Sequence, residues 1–250
     1  MIPAAFDYEL AESLDHAREL LGSREDAKLL AGGHSLLPAM RLRIARPSLL
    51  VDIGRLAELR YVREDGDRIA IGALTRHADL AKGELLGGAC PLVAHGDPAG
   101  DMPSVLLALD AEFVAKGPGG ERTIAAGEFF TSLFETALAA DEVLTEIRVP
   151  KAGGGWSYQK FNRRAQDWAL VGVSAVRMNG GVHVGLTNMG LTPLRASGVE
   201  EAVGGGADPA SAAARADEGT APPSDAFASA DYRRELVKVL VRRALEEALA

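Results

Sequence analysis

The chain has 250 residues, 47% hydrophobic and 25% charged, enough to bury a sizeable core. Its formal net charge of −8, with no compensating run of Lys or Arg, argues against a nucleic-acid surface. Cys90 is the single cysteine, which excludes an internal disulfide or a cysteine-ligated iron–sulfur cluster within the chain.

The five His residues show no zinc-type spacing, so no metal is assigned. The start, Met1-Ile2-Pro3-Ala4-Ala5-Phe6-Asp7, has neither the basic nor the apolar part of a signal peptide, and no apolar run reaches membrane-spanning length. The expectation is a cytoplasmic protein with no membrane insertion.

Phe6-Asp7-Tyr8 reads as a short strand, and Ser13 caps a helix carrying Leu14, Ala17, Leu20 and Leu21 that Gly22 stops. Ala27 to Ala31 form the next strand, completing a small strand–helix–strand unit that runs into Gly32-Gly33-His34-Ser35-Leu36. Two successive glycines let backbone N–H groups approach a bulky anion such as a phosphate, although the pair also suits a tight turn with no ligand. This is not the dinucleotide fingerprint, which needs a third glycine where Leu36 stands, nor a P-loop, which needs Gly-Lys-Ser/Thr.

Leu49 to Ile53 is a further strand, and a new subdomain begins near Leu56. Arg68 to Ala73 forms a strand after the turn-like Glu64-Asp65-Gly66-Asp67. Thr75 and Asp79 read as local caps of a helix start, with His77 structural or solvated. Asp101-Met102-Pro103 opens a helix, where Asp101 suits an N-cap. Phe113–Lys116 and Glu121–Ile124 form a hairpin across Gly117-Pro118-Gly119-Gly120, and Asp141 to Pro150 is a strand in which Leu144 reads as core.

Gly153-Gly154-Gly155 marks a boundary before Trp156 to Arg164, where Lys160 reads as a strand-edge lysine. The next strand, entered through Ala165 to Val173, pairs with Val182–Leu186 across Asn179-Gly180-Gly181. Residues 205 to 225 read as a flexible link or loosely capped short helices. From Tyr232, the apolar positions Leu236, Val237, Leu240, Val241, Ala244, Leu245 and Ala248 mark an amphipathic terminal helix, with Arg233, Arg234, Arg242 and Arg243 read as solvating charge.

The run Ala31-Gly32-Gly33-His34-Ser35-Leu36-Leu37-Pro38, followed by Met40-Arg41-Leu42, Pro47 and Val51-Asp52-Ile53, resembles the first FAD-pyrophosphate loop of the flavoprotein subunits of molybdenum hydroxylases. That group contains the medium subunit of aerobic carbon monoxide dehydrogenase and the flavin domain of xanthine dehydrogenase. The resemblance continues along most of the chain and implies an α+β fold. Residues 1–152 would be a two-subdomain FAD-binding domain of the vanillyl-alcohol-oxidase type, with subdomains of about 1–55 and 56–152. Residues 153–250 would be a smaller domain of antiparallel sheet plus helices.

The resemblance also implies FAD as cofactor, held by Ala31, Gly32, Gly33, His34, Ser35 and Leu36. It puts Asp101 at a flavin-contacting position, Leu144 at a position whose backbone lies beside the flavin, and Lys160 near the isoalloxazine, where a cation favours the anionic reduced form. The implied partners are an iron–sulfur small subunit, a molybdopterin large subunit and an external electron acceptor. No residue of this chain need act as nucleophile or general base, so no catalytic residue is assigned.

One departure stands out. In the resembled family the segment of Asp101 follows a second glycine loop, Thr-Ile-Gly-Gly, and no such tetrapeptide occurs here. Ala89 to His95 resembles the helix before that loop, which places the gap near His95 and Gly96; Gly87-Gly88 is a displaced alternative whose spacing to Asp97 is wrong for the motif. The rival reading is therefore a structural subunit of the same assembly with weakened or lost FAD binding. A stand-alone flavin oxidase lacks support, because no His–carboxylate constellation is visible.

Overall fold

Three main sheets of different construction organise the computed structural model, which describes residues 2–82, 85, 100–152, 154–164, 167–178 and 180–250. The first is parallel, with β1 (Asp7–Leu10), β2 (Lys28–Leu30) and β3 (Leu49–Asp52) in the order β1-β3-β2. Between β1 and β2 runs α1 (Leu14–Gly22), where the Ser13 hydroxyl accepts from the His16 N–H at 3.1 Å and Ala17 and Leu21 are buried. The expected strand–helix–strand unit is thus split: β3 lies between β1 and β2. A central strand is covered on both faces, which is why Leu49-Leu50-Val51 is apolar without alternation. The short α2 (Leu36–Arg41) leads from β2 toward β3 and tolerates Pro38 in its first turn.

The second sheet is antiparallel, in the order β4-β5-β10-β6-β7: β4 (Val62–Asp65), β5 (Arg68–Gly72), β6 (Glu112–Gly117), β7 (Gly120–Ala125) and β10 (Val143–Pro150). Glu64 and Asp65, expected in a turn, end β4, and only Gly66 and Asp67 make the connection. Between β5 and β6 come α3 (His77–Lys82) and α4 (Met102–Ala108), and every residue of α4 is buried. After β7 come α5 (Ala126–Phe129) and a two-stranded ribbon of β8 (Phe130–Ser132) and β9 (Glu135–Thr136). Phe113 stacks on Phe129 with ring centroids 3.8 Å apart in this core.

The third sheet, also antiparallel, orders β11 (Trp156–Phe161), β12 (Val171–Met178), β13 (Gly181–Thr187) and β14 (Leu194–Arg195). Strand alternation gives it two different faces. Val171, Val173, Ala175, Val182, Val184 and Leu186 pack with α6 (Ser197–Gly204), α7 (Pro209–Ala213) and α8 (Ala230–Ala248). On the opposite face, Ser174, Gly185 and Thr187 meet α4, and a Cβ at Gly185 would lie 2.1 Å from the Ser104 carbonyl oxygen.

One expectation for this region changes, and one gains detail. Gly154 and Gly155, read as a boundary, are also close-packing positions: their added Cβ atoms would lie 2.3 Å from Arg177 O and 2.4 Å from Ala248 O. Arg233, read as solvating charge, is fully buried and donates to Leu170 O and to Asp225 Oδ2. Beside it a cleft of about 550 Å³ opens, with Arg163 over the Phe227 ring at 4.7 Å and Trp168 exposed. No helix among the described residues is long and apolar enough to cross a membrane.

Candidate functional site

Where β2 ends, the backbone turns through Gly32 (φ +94°) and Gly33 (φ +78°), conformations that side chains other than glycine rarely adopt. A Cβ on Gly33 would also lie 2.7 Å from Leu37. The turn is closed by the Leu37 N–H, which donates to Gly33 O at 3.0 Å. The chain therefore passes from a buried strand to α2 without placing a side chain on the inner surface of the turn at either glycine.

That turn forms one wall of a cleft of about 600 Å³ between the first and second sheets. Ala31, Gly32, Gly33, His34, Ser35 and Leu36 all line it. Facing them are Gly54, Arg60 and the run Ala73 to His77. Among the described residues, Arg60 and Arg76 are its formally charged lining residues, and the described lining includes no carboxylate. The facing wall is stitched by backbone: Leu74 N–H donates to Leu59 O at 2.8 Å and Gly72 N–H to Tyr61 O at 2.9 Å. Thr75 joins this stitching instead of capping α3, since its buried hydroxyl donates to Tyr61 O at 2.8 Å and accepts from Tyr61 N–H at 3.2 Å.

Asp101 and Lys160 lie apart from that lining and meet each other. Lys160 Nζ donates to Asp101 Oδ2 at 2.6 Å, with both side chains about three-quarters buried. Asp101 stands at the N-cap of α4 without making a side-chain cap bond, so its carboxylate serves β11 and not its own helix. Next to Lys160 on the same face, Tyr158 is held well above the ordinary phenol range, first by burial and then by the charge of Asp101. One turn along α4, the Ser104 hydroxyl is 2.6 Å from Thr187 Oγ1 and 3.3 Å from Ser174 Oγ, so this interface is polar and internally hydrogen-bonded.

Leu144 is half-buried on β10 opposite Ala115, at a bulge in the ladder. The next residue, Thr145, accepts from the N–H of Ala73, a cleft-lining residue, which places this bulge behind the cleft wall. Six of the nine expected site residues thus share one cleft, two form an ion pair between α4 and β11, and one sits on the strand supporting the wall. Gly87-Gly88, Ala89 to His95 and Asp97 lie outside the described residues.

Sequence reasoning missed Arg60 and Arg76. They come from segments that flank the β4–β5 pair and are joined by the Leu59–Leu74, Tyr61–Gly72 and Tyr61–Thr75 bonds, and no spacing rule announces that this corner faces Gly32 and Gly33. Among the described residues, no cluster of three His, Cys, Asp or Glu could hold a metal ion.

Comparison with known proteins adds a consistent set of likenesses. The family model described as FAD binding domain in molybdopterin dehydrogenase matches residues 4–95 and 87–152. The model for the CO dehydrogenase flavoprotein C-terminal domain matches residues 156–248. The chain is 39% identical over 290 residues to the carbon monoxide dehydrogenase medium chain of Hydrogenophaga pseudoflava, covering 100% of this chain and 99% of that protein. It is 35% identical over 282 residues to the glyceraldehyde dehydrogenase medium chain of Sulfolobus acidocaldarius, covering 99% of each. Among solved structures, a chain of the Hydrogenophaga pseudoflava carbon monoxide dehydrogenase lacking the Mo-pyranopterin moiety superposes with a TM-score of 0.90 at 38% identity, covering 100% of this chain and 99% of that one.

Proposed function

The chain belongs to the CO dehydrogenase medium-subunit family of molybdenum hydroxylases, and from that premise we propose that it binds FAD and passes electrons from partner iron–sulfur clusters to an external acceptor. The observation that carries this reading is the cleft at Gly32 and Gly33, with left-handed glycines on one wall, Arg60 and Arg76 on the other, and no carboxylate among the described lining residues. Pyrophosphate oxygens accept from backbone N–H and guanidinium groups, so this donor set fits a dinucleotide. FAD, when bound, would supply the exchange of one or two electrons that matches single-electron clusters to the acceptor.

The chain's own residues bind and orient. We assign Ala31, Gly32, Gly33, His34, Ser35 and Leu36 to the pyrophosphate end. Asp101, Leu144 and Lys160 are assigned to the flavin end, where the carboxylate of Asp101 holds the Lys160 ammonium in place. Residues 1–152, divided near 55, form the cofactor-binding part in this reading, and residues 153–250 the second domain. A small subunit would hold the iron–sulfur clusters and a large subunit the molybdopterin, since a chain with one Cys cannot ligate the clusters itself. The whole would work in the cytoplasm, with the reducing substrate chosen on the large subunit.

A second reading has one observation in its favour: a structural subunit that keeps the fold and has lost the cofactor. The Thr-Ile-Gly-Gly loop is absent, and the 290-residue alignment exceeds this 250-residue chain by 40 positions. The deciding measurement is the absorbance spectrum of the purified chain with and without added FAD, followed by dithionite. A flavin spectrum that bleaches on reduction is expected. A chain that takes up no flavin even at high FAD concentration would replace the electron-transfer reading with the structural one.

A further inference from the structure

We propose that Arg60 and Arg76 clamp the pyrophosphate of the bound dinucleotide against the Gly32–Gly33 turn, taking the place of the second backbone loop that this sequence lacks; this rests on the flavin reading above. The charge distribution sets the cleft apart. The chain carries 35 acidic and 27 basic residues, yet among the described residues the cleft lining contains two arginines and no carboxylate. The Arg76 backbone carbonyl accepts from the N–H groups of Asp79 and Leu80, while its side chain makes no ion pair or hydrogen bond among the described residues and the residue is exposed at the cleft wall. Arg60 is steadied by one bond, Nη2 to Gly54 O at 3.1 Å, where Gly54 is itself a lining residue.

The backbone segments that carry the two arginines are also tied to one another. Arg60 lies between Leu59 and Tyr61, and Arg76 follows Leu74 and Thr75. Those neighbours are tied by the Leu74 N–H to Leu59 O bond and by both bonds of the Thr75 hydroxyl to Tyr61. Two cations rooted on one tied backbone corner can meet a dianionic pyrophosphate, and guanidinium groups suit its oxygens bidentately. A second backbone loop would supply N–H donors to the same oxygens; side-chain donors from the facing wall satisfy the same chemistry.

The test is isothermal titration calorimetry of the full chain with FAD, ADP and adenosine, in the wild type, R60Q, R76Q and R76K, with circular dichroism melts confirming that each variant folds. ADP is expected to bind and adenosine to bind at least about tenfold more weakly, since it lacks the pyrophosphate. R60Q and R76Q should each lower FAD and ADP affinity by about tenfold or more, with R76K recovering part of the loss. R76Q removes no bond that the fold uses, so it carries the test if R60Q is unstable.

FAD binding that survives both glutamine substitutions unchanged would overturn the clamp and leave the flavin reading intact. Arginine-dependent ADP binding without FAD binding would support the clamp and overturn the flavin reading. Failure to bind either nucleotide would overturn both.

Discussion

Glu146 is 4% exposed in the middle of β10 and keeps its charge through three donors. Tyr61 Oη donates to it at 2.6 Å, Arg63 Nη2 at 2.9 Å and Arg148 Nε at 2.5 Å. Burial alone would raise its pKa; the bonds from Tyr61 and Arg148 and the two guanidinium charges outweigh that and hold it below the usual carboxylate range. Burial first, and then the bond to Glu146 and its charge, push Tyr61 up to about 12 against the opposing effect of Arg63. A carboxylate depressed on folding contributes stability above its ordinary value of 4.5 and loses it as pH falls through the folded pKa. Glu146→Gln should therefore cost about 1–3 kcal/mol at pH 7, and the gap to wild type should narrow below pH 4.5, as read by urea melts at several pH values. Neither Glu146 nor the buried Arg233 was legible as an interior charge in the sequence. Arg148 and Asp225 are near partners in the chain, but the other partners lie 85 residues away at Tyr61 and 63 away at Leu170, and chain spacing carries no trace of those pairings.

At the scale of elements, α4 is the strut between the second and third sheets. Asp101 binds Lys160 at one end, Ser104 meets Ser174 and Thr187 in the middle, and Asp110, just beyond the helix, takes Arg195 Nη1 at 2.7 Å and lies 3.1 Å from His183 Nδ1. Gly185 permits this approach, because any Cβ there would enter the Ser104 carbonyl. Gly185→Ala should destabilise the chain by about 1–3 kcal/mol through overpacking, measured as a lower urea midpoint, and should part α4 from β13. The helix itself was readable from Asp101-Met102-Pro103 and the apolar run behind it. Its full burial was not, since an amphipathic count describes one covered face and α4 is enclosed by two sheets.

Across the whole molecule, the cleft between the first two sheets joins a backbone turn from residues 31–36 to a cationic wall from residues 60 and 73–77. Inserting a family-type segment containing Thr-Ile-Gly-Gly near His95 and Gly96 should raise FAD affinity. Two added charged hydrogen bonds, each worth about 1.5–3 kcal/mol, correspond to roughly a hundredfold or more. Fluorescence titration of FAD into the inserted and native chains checks this, and equal affinities would show that the facing wall already satisfies the pyrophosphate.

The sequence by itself determined the local features: the Ser13 cap, the glycine turn, the β6–β7 and β12–β13 hairpins, the amphipathic α8, and the family to which the glycine turn and its neighbours point. These depend on residues close in the chain, where φ preferences, capping and periodicity act directly. Tertiary structure alone decided the insertion of β3 between β1 and β2, the use of Asp101 for Lys160 instead of its own helix, and the arrival of Arg60 and Arg76 opposite Gly32 and Gly33. Each depends on which distant segments share a surface once apolar faces are buried, and burial rewards total area removed from water without regard to separation along the chain.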